Sequence, residues 1–332
     1  MDTRQNVTFS IIMPCYNSQS YVRGALQSIL DQTWPSWELI AVNDGSTDDT
    51  LPILNEYAST DPRIRVFSKP NGGYISAVNL GLEKITGDYF LMIGSDDAFG
   101  RDLLQSLAQV PGNPDVIAFR SVIVRDGVME GVERITNFSE TVSAFDTSLA
   151  EFSANHPGTS DILFTRDTSK CYKRSLLGDI RYFGRYGYDA DGIFSMLLCH
   201  NATSFAAIPA DGYYWTLRGD SLSGRKSSYR QDCDRVENWT RFYETLLNLE
   251  NNQIATAEKE YLYYYLGILQ ETWKVKKPFF GFYAGAKAAA ATICKVMDKT
   301  GFRPDLSRGT RLMLQLPLLW KLLYAIKGIL KK

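Results

Sequence analysis

Two adjacent carboxylates, Asp96 and Asp97, follow the apolar run 89–93 with only Gly94 and Ser95 between them. That run has the length and composition of a buried strand, and open α/β sheets bind ligands at the C-terminal ends of their strands. Like charges this close repel, so we expect a cation beside them. Mg²⁺ and Mn²⁺ favour a few carboxylate oxygens plus substrate phosphate oxygens, which makes a phosphate-carrying metal the candidate. The alternative is a solvated turn with two chance acidic residues.

Two other predicted strands, residues 9–13 and 37–42, also end in polar turns, the first holding Tyr16 and the second Asp44. A helical pattern follows each strand, and strands that alternate with helices imply a parallel sheet with right-handed crossovers. The C-terminal strand ends then lie along one edge, where these side chains and the acidic pair can converge. They offer an aromatic face for a base, a carboxylate for a ring or ribose hydroxyl, and two carboxylates for a metal. That combination suits a nucleotide diphosphate.

The hydrophobic pattern predicts further elements. Helices are predicted at residues 21–32, 47–57, 75–84, 172–177 and 191–199. Further strands are predicted at residues 64–67, 89–93, 115–124 and 205–209. Helix-like runs then dominate, at residues 229–250, 254–273, 281–298 and 311–331. We therefore predict an α/β domain over residues 1–225 and a helical C-terminal region over residues 226–332.

The composition restricts the cellular context. Five cysteines are scattered and odd in number, which argues for a reducing compartment and against a disulfide framework or a zinc site. The polar N-terminus lacks the apolar core of a signal peptide, and no apolar stretch reaches the roughly 18 residues of a membrane span. We expect a cytoplasmic protein with no membrane span and no nucleic acid partner.

Several motifs follow one another in order along the N-terminal part of the chain. They are Ser10-Ile-Ile-Met-Pro-Cys-Tyr-Asn17, Gln32-Thr-Trp-Pro35, Glu38-Leu-Ile-Ala-Val-Asn-Asp-Gly-Ser-Thr-Asp48, Asn71-Gly-Gly73 continuing to Gly81, and Gly87-Asp-Tyr-Phe-Leu-Met-Ile-Gly-Ser-Asp-Asp97. This series resembles the family 2 glycosyltransferases of the GT-A fold, over about residues 8–225. The resemblance implies a Rossmann-like, mainly parallel mixed sheet flanked by helices, and an inverting enzyme that uses a nucleotide sugar.

The resemblance also assigns a nucleotide site. It implies that Tyr16 and Asp44 hold the nucleobase, usually uracil. Asp96 and Asp97 stand where the family's D-x-D ligands of metal and ribose lie, with Mn²⁺ or Mg²⁺ as the metal. Further nucleotide contacts are implied at Pro14, Asn17, Ser76 and Arg218.

A second acidic cluster, Asp189-Ala190-Asp191, precedes an apolar run. The family carries a Glu-Asp pair here whose carboxylate acts as general base, because a sugar hydroxyl is a poor nucleophile until its proton is accepted. The resemblance puts Asp191 on the base and Ala190 where Glu is common, with Asp189 as the candidate replacement. The alternative is an acid that caps the following helix.

Three positions depart from the family pattern. Gly94 replaces the first Asp of the acidic run, and Val78 replaces a common Arg. Arg218 stands where His is common, so its positive charge is permanent. These departures bear on donor identity and metal affinity more than on the reaction class.

The C-terminal tail is basic. From Gly301 to Lys332, seven basic residues and one acidic residue give +6, against −7 for the rest of a chain of net charge −1. Leu312 to Leu330 reads as an amphipathic helix. Two alternatives are open: it lies on an anionic membrane surface, at the inner face of the cell membrane, or it packs onto the core or a homodimer partner.

Together these features predict transfer of a sugar from a nucleotide-diphosphate donor, a UDP-sugar, to a hydroxyl of a saccharide or lipid-linked saccharide in bacterial surface polysaccharide synthesis. The alternative is a non-catalytic sugar-nucleotide-binding module, which the four acidic residues Asp44, Asp96, Asp97 and Asp191 disfavour. A nucleotidyltransferase would need a Gly-rich loop after the first strand, and a dehydrogenase would need G-x-G-x-x-G there. Residues 14–17 contain neither.

Overall fold

The computed structural model describes residues 7–125, 128–134, 140–156, 166–184, 189–217, 229–248 and 280–300, with residues 262, 265, 266, 269 and 314. The Cα positions form two units, Met1–Arg225 and Lys226–Lys332. The first unit contains a mixed sheet with flanking helices, and the described part of the second unit is helical.

One sheet of ten described strands organises the first unit. The strands are β1 (Phe9–Cys15), β2 (Trp37–Asp44), β3 (Ile64–Lys69), β4 (Tyr89–Met92), β5 (Ala98–Phe99), β6 (Val116–Arg125), β7 (Val128–Arg134), β8 (Val142–Phe145), β9 (Lys170–Lys173) and β10 (Ser204–Leu217). Their order is β3-β2-β1-β4-β9-β6-β10-β5, with β7 paired to β6 and β8 paired to β10. β1 to β4 are parallel, as are β6 and β10, whereas β9 runs antiparallel to both of its neighbours. The predicted mainly parallel α/β sheet is confirmed.

Helices connect and cover these strands. They are α1 (Val22–Leu30), α2 (Thr50–Thr60), α3 (Tyr74–Leu82), α4 (Leu103–Ala108), α5 (Leu149–Asn155) and α6 (Ala190–Asn201), with a short 3₁₀ helix at Arg174–Leu176. α1 buries Val22, Ala25, Leu26 and Ile29, whose spacing of three and four residues forms a single apolar face. β1, β2 and β4 are apolar almost throughout because both faces of the sheet are covered.

The register of the central strands determines where the site lies. Ile12 of β1 pairs with Ile40 of β2 on one side and with Met92 of β4 on the other. Since the three strands are parallel and in register, the loops that follow them emerge at the same level of one sheet edge. This edge is where sequence analysis predicts the nucleotide site.

The helix predicted at residues 172–177 is wrong. Its first half is strand β9, in which Tyr172 pairs with Phe90 of β4 and with Val116 of β6, and its second half is the 3₁₀ helix. Pairing on both sides with strands distant in sequence outweighs the local helical pattern.

In the second unit, the described helices are α7 (Tyr229–Asn248) and α8 (Phe280–Thr300), which confirm two of the predicted helical runs. The buried Trp239 and Tyr243 of α7 stack on Tyr265 with ring centroids 6.4 and 5.8 Å apart. None of the described helices has the length and hydropathy that a membrane crossing requires. The predicted tail helix lies, except for Leu314, outside the described residues.

Candidate active site

The loops after β1, β2 and β4 are joined by hydrogen bonds into one edge, which we call the rim (residues 14–18, 44–47 and 94–97). Asn17, whose φ of 48° lies in the left-handed region that Asn tolerates, connects the first two loops. Its backbone N–H donates to Ser46 Oγ at 3.1 Å, and its Oδ1 accepts from Thr47 N at 2.8 Å.

The first and third loops of the rim meet through two serines. The Oγ atoms of Ser18 and Ser95 lie 2.6 Å apart in a hydrogen bond, and both residues are buried. Tyr16, between these contacts, keeps 51% of its surface exposed. The rim therefore combines a braced backbone with one accessible aromatic face.

Asp44 ends β2 and organises the turn that leads into α3. Its buried carboxylate accepts from Lys69 Nζ at 2.7 Å, from Gly72 N at 2.9 Å and from Gly73 N at 2.7 Å. These bonds place the first turn of α3, which carries Ser76, next to the rim. The nucleobase contact predicted for Asp44 stays a prediction, and the structure adds this local role.

Asp97 is oriented by two groups from β10. Tyr213 OH donates to Asp97 Oδ2 at 2.5 Å, and Thr216 N donates to Oδ1 at 2.8 Å. The Tyr213 oxygen in turn accepts from Gly94 N at 3.1 Å. Burial, together with the neighbouring Asp96 carboxylate, raises the pKa of Asp97 to about 7. A cation bound here would favour the ionised carboxylate.

Gly94 provides the space that the acidic pair occupies. A Cβ atom at this position would lie 2.5 Å from Asp97 Oδ2 and 3.0 Å from Asp96 Oδ1. Gly94 stands where the family pattern has its first Asp, and the carboxylates of Asp96 and Asp97 occupy the space that a side chain at this position would need. Any side chain here must displace them.

We expect Gly94→Ala to weaken Mn²⁺-dependent nucleotide binding by about tenfold or more, because outer contacts that orient metal ligands commonly contribute that much to affinity. Titration calorimetry with UDP and Mn²⁺ measures the effect. Gly24→Ala is the matched control, since a Cβ at this position in α1 would have no neighbour within 4 Å. Equal affinities in the two variants would contradict the role given to Gly94.

The second acidic cluster begins α6. Asp191 lies in its first turn, and Asp189 precedes the helix with a left-handed φ of 60°. Burial raises the pKa of Asp191, and the nearby charge of Asp189 adds to the increase. The preceding segment is held by Asn79 of α3, whose amide donates to Tyr182 O and accepts from Tyr182 N, both at 2.9 Å. These two hydrogen bonds attach the segment before α6, at Tyr182, to helix α3.

Arg166 connects the two acidic clusters. Its guanidinium lies 3.6 Å from the centroid of the Trp215 ring and is attracted by both Asp191 and Asp97. Tyr74, at the start of α3, also senses both carboxylates, whose charges add to burial in raising the pKa of its phenol. Asp97 and Asp191 therefore act on the same two side chains, and we call the region around Arg166 and Tyr74 the cleft.

Two buried charged residues, Asp167 and Lys170, follow Arg166 in the sequence. Asp167 is fully buried; Tyr182 OH donates to its Oδ2, and its Oδ1 has no hydrogen-bond partner within the described part of the chain. Burial and the charge of Asp191 raise the pKa of Asp167 to about 8. Lys170 is also fully buried, and burial lowers its pKa to about 8.

Most of the sequence-predicted site residues come together. Pro14, Tyr16, Asn17, Asp44, Asp96 and Asp97 lie on the rim, Ser76 lies beside it, and Asp189 and Asp191 lie at α6. Arg218 lies outside the described residues. Sequence reasoning missed Tyr74, Arg166, Asp167, Tyr213 and Thr216. The available signal was the charged pair Arg166-Asp167 just ahead of the buried strand β9.

The acidic pair fits a metal that arrives with its substrate. Among the described residues, no group of three or more His, Cys, Asp or Glu side chains could hold an ion. Mg²⁺ and Mn²⁺ bound with nucleotides use one or two carboxylates and take their other ligands from phosphates and water. Asp96 and Asp97 supply that number of carboxylates.

Comparison with known proteins identifies the family of this chain. The sequence profile of Glycosyl transferase family 2 matches residues 10–181. The putative teichuronic acid biosynthesis glycosyltransferase TuaG of Bacillus subtilis is 41% identical over 97 residues, 29% of this chain and 38% of that protein. The putative glycosyltransferase EpsH of the same organism is 26% identical over 264 residues, 76% of this chain and 72% of that protein. The chain thus spans about two fifths of the length of TuaG and of a similar Haemophilus influenzae protein.

Solved structures share the fold. Residues 1–349 of S. aureus TarS, in complex with UDP-GlcNAc, superpose with a TM-score of 0.71 at 22% identity, over 96% of this chain and 89% of that one. The mannosyltransferase PcManGT of Pyrobaculum calidifontis, solved with GDP-Man and Mn²⁺, gives a TM-score of 0.51 at 14% identity, over 98% and 88% of the two chains. Since the family profile covers more than half of the sequence, the predicted family is confirmed, and this chain belongs to glycosyl transferase family 2.

Proposed function

We propose that this protein is an inverting glycosyltransferase that moves a sugar from a UDP-sugar to a hydroxyl of a saccharide or lipid-linked saccharide in bacterial surface polysaccharide synthesis. The observation that carries the proposal is that Asp97, from the rim, and Asp191, from α6, both act on the charge of Arg166. The similarity to TuaG, a putative teichuronic acid biosynthesis glycosyltransferase, supports the polysaccharide class, and the UDP-GlcNAc bound to TarS supports a UDP donor.

The proposed reaction is one in-line displacement. Asp191 accepts the proton of the acceptor hydroxyl while its oxygen bonds to the anomeric carbon, and the bond from that carbon to the diphosphate breaks. Entry and departure on opposite faces invert the centre through an oxocarbenium-like transition state. The raised pKa of Asp191 makes it a stronger base than an exposed carboxylate.

The rim would hold the donor. Tyr16 offers its exposed ring to the base, and Asp97, with Asp96, would bind Mn²⁺ or Mg²⁺. When bound, the metal neutralises negative charge that develops on the diphosphate. Tyr213 and Thr216 fix the orientation of the Asp97 carboxylate, so it need not reorganise when the donor binds.

The placement of the enzyme in the cell is part of the proposal. We place catalysis in residues 1–225, in the cytoplasm, and assign to the basic tail a contact with the anionic inner face of the membrane. The charge of +6 in residues 301–332 supports the membrane contact. The alternative remains a tail that packs on the core or on a homodimer partner.

A panel of UDP- and GDP-sugars, tested for protection against thermal unfolding with Mn²⁺ or with EDTA, checks the donor. One UDP-sugar is expected to raise Tm, and to raise it more with Mn²⁺, because ligands that bind only the folded state stabilise it. UDP release on adding acceptor then separates an enzyme from a non-catalytic binding module. Absence of protection by every nucleotide would overturn the proposal.

A further inference from the structure

Arg166 is a partly buried cation whose hydrogen-bonding capacity is unused. Within the described part of the chain, its guanidinium makes no hydrogen bond or close ion pair, although four groups interact with its charge. A guanidinium carries five N–H donors, and donors removed from water are ordinarily satisfied. This imbalance points to a ligand.

The guanidinium is pre-oriented. Its Cζ atom lies 3.6 Å from the centroid of the Trp215 ring, a cation–π contact that restricts where the guanidinium can lie. Trp215, on which Arg166 stacks, precedes Thr216, whose backbone N–H donates to Asp97 Oδ1. The same strand therefore fixes both the predicted metal ligand and the surface under Arg166.

The charges that act on Arg166 select the ligand, because they come from both acidic clusters, through Asp191 and Asp97. Asp97 marks the side of the cleft assigned to the diphosphate, and Asp191 marks the side assigned to the acceptor. Between them lies the bond that breaks, where the departing phosphate gains negative charge. A planar guanidinium matches phosphate oxygens with two parallel hydrogen bonds, which a lysine cannot reproduce.

We propose that Arg166 binds the diphosphate of the nucleotide-sugar donor and stabilises it as it leaves. This inference rests on the proposed function and adds a second cationic contact to the one that the family resemblance implies at Arg218. Arg166 would then neutralise part of the negative charge of the diphosphate. Nucleotide binding should therefore be weakened, but not abolished, when the metal is removed.

The test is calorimetric binding of UDP, UMP and uridine, each with Mn²⁺ and with EDTA. Arg166→Ala is expected to weaken UDP binding by about tenfold to a hundredfold in both conditions, in line with the loss of charge-assisted hydrogen bonds, and to leave uridine binding unchanged. Arg166→Lys should fall between the two proteins. Arg63→Ala is the matched control, because Arg63 also stacks on an indole, 3.7 Å from the Trp37 ring, and should bind UDP like the wild type.

The outcomes separate the two proposals. Wild-type affinity for UDP in Arg166→Ala would overturn the role of Arg166 and leave the proposed function standing. Failure of the wild type itself to bind UDP would overturn the proposed function together with this ligand. If Arg166→Ala does not fold, Arg166→Gln, which keeps polar bulk without charge, tests the same contact.

Discussion

Replacement of Asp191 by asparagine is expected to lower acceptor-dependent turnover by about a hundredfold or more, the usual contribution of a general base. The amide keeps the shape of the side chain but cannot take the proton of the acceptor hydroxyl. The Kd of the donor should stay close to that of the wild type, because the proposed role of Asp191 is to act on the acceptor hydroxyl and not on the nucleotide. UDP release and donor calorimetry on the same preparation measure the two quantities.

Asp189→Asn is the matched control, since it removes the neighbouring carboxylate. We expect it to retain most of the activity, with a lower pKa of Asp191, because the charge of Asp189 contributes to raising that pKa. The acid limb of the pH–rate profile should then move to lower pH. Transfer retained in Asp191→Asn and lost in Asp189→Asn would reassign the base to Asp189.

Replacement of Asp97 by asparagine is expected to remove the Mn²⁺-dependent part of donor affinity and to reduce turnover, yet to stabilise the metal-free fold at alkaline pH. The native pKa of about 7 exceeds the ordinary value of 3.8, so the folded protein binds more protons than the unfolded chain between those limits. The contribution of Asp97 to the stability of the wild type therefore falls as pH rises from about 4 to about 7, in the window set by those two values. Asp97→Asn cannot ionise at this position, so its stability should not decrease for this reason.

Thermal melts in EDTA at pH 5 and pH 8 measure this effect. At roughly 1.4 kcal/mol per pKa unit, the advantage of Asp97→Asn should grow by on the order of 2–3 kcal/mol between the two conditions. Asp61→Asn is a control of opposite sign, because hydrogen bonds from Arg63 lower the pKa of Asp61 and make its charge stabilising above its unfolded pKa. An Asp97 variant with unchanged pH dependence and full Mn²⁺ response would refute the metal assignment.

The rim could be predicted because its information is local. Each apolar strand is followed at once by its polar turn, so the position of Asp44 or Asp97 at a strand end is readable from a few neighbouring residues. Parallel order then brings the turns together without knowledge of any specific contact. The sequence did not predict the hydrogen bonds that these residues make. Asp44, for example, accepts from the backbone N–H groups of Gly72 and Gly73 before α3, which lie almost thirty residues further along the chain.

Arg166 and Tyr213 could not be predicted because their positions depend on distant pairing. Strand β9 enters the sheet antiparallel between β4 and β6, and this insertion carries the preceding Arg166 to the cleft. The hydrophobic pattern of residues 172–177 predicts a helix, so it gives no indication of strand β9. Tyr213 reaches Asp97 only because β10 extends past its bulges alongside β6.

The hydroxyl pair of Ser18 and Ser95 has a consequence for how such proteins diverge. Both residues are buried, so loss of the Ser18 hydroxyl leaves the Ser95 hydroxyl without its partner, whereas Ser18 Oγ can also donate to Tyr16 O at 3.2 Å. Selection is then expected to act on the two positions jointly, as both polar or both apolar. Across homologues, covariation between the two positions would show which loops of the rim have been inherited together, and chimeras that exchange one of these loops alone are expected to lose stability.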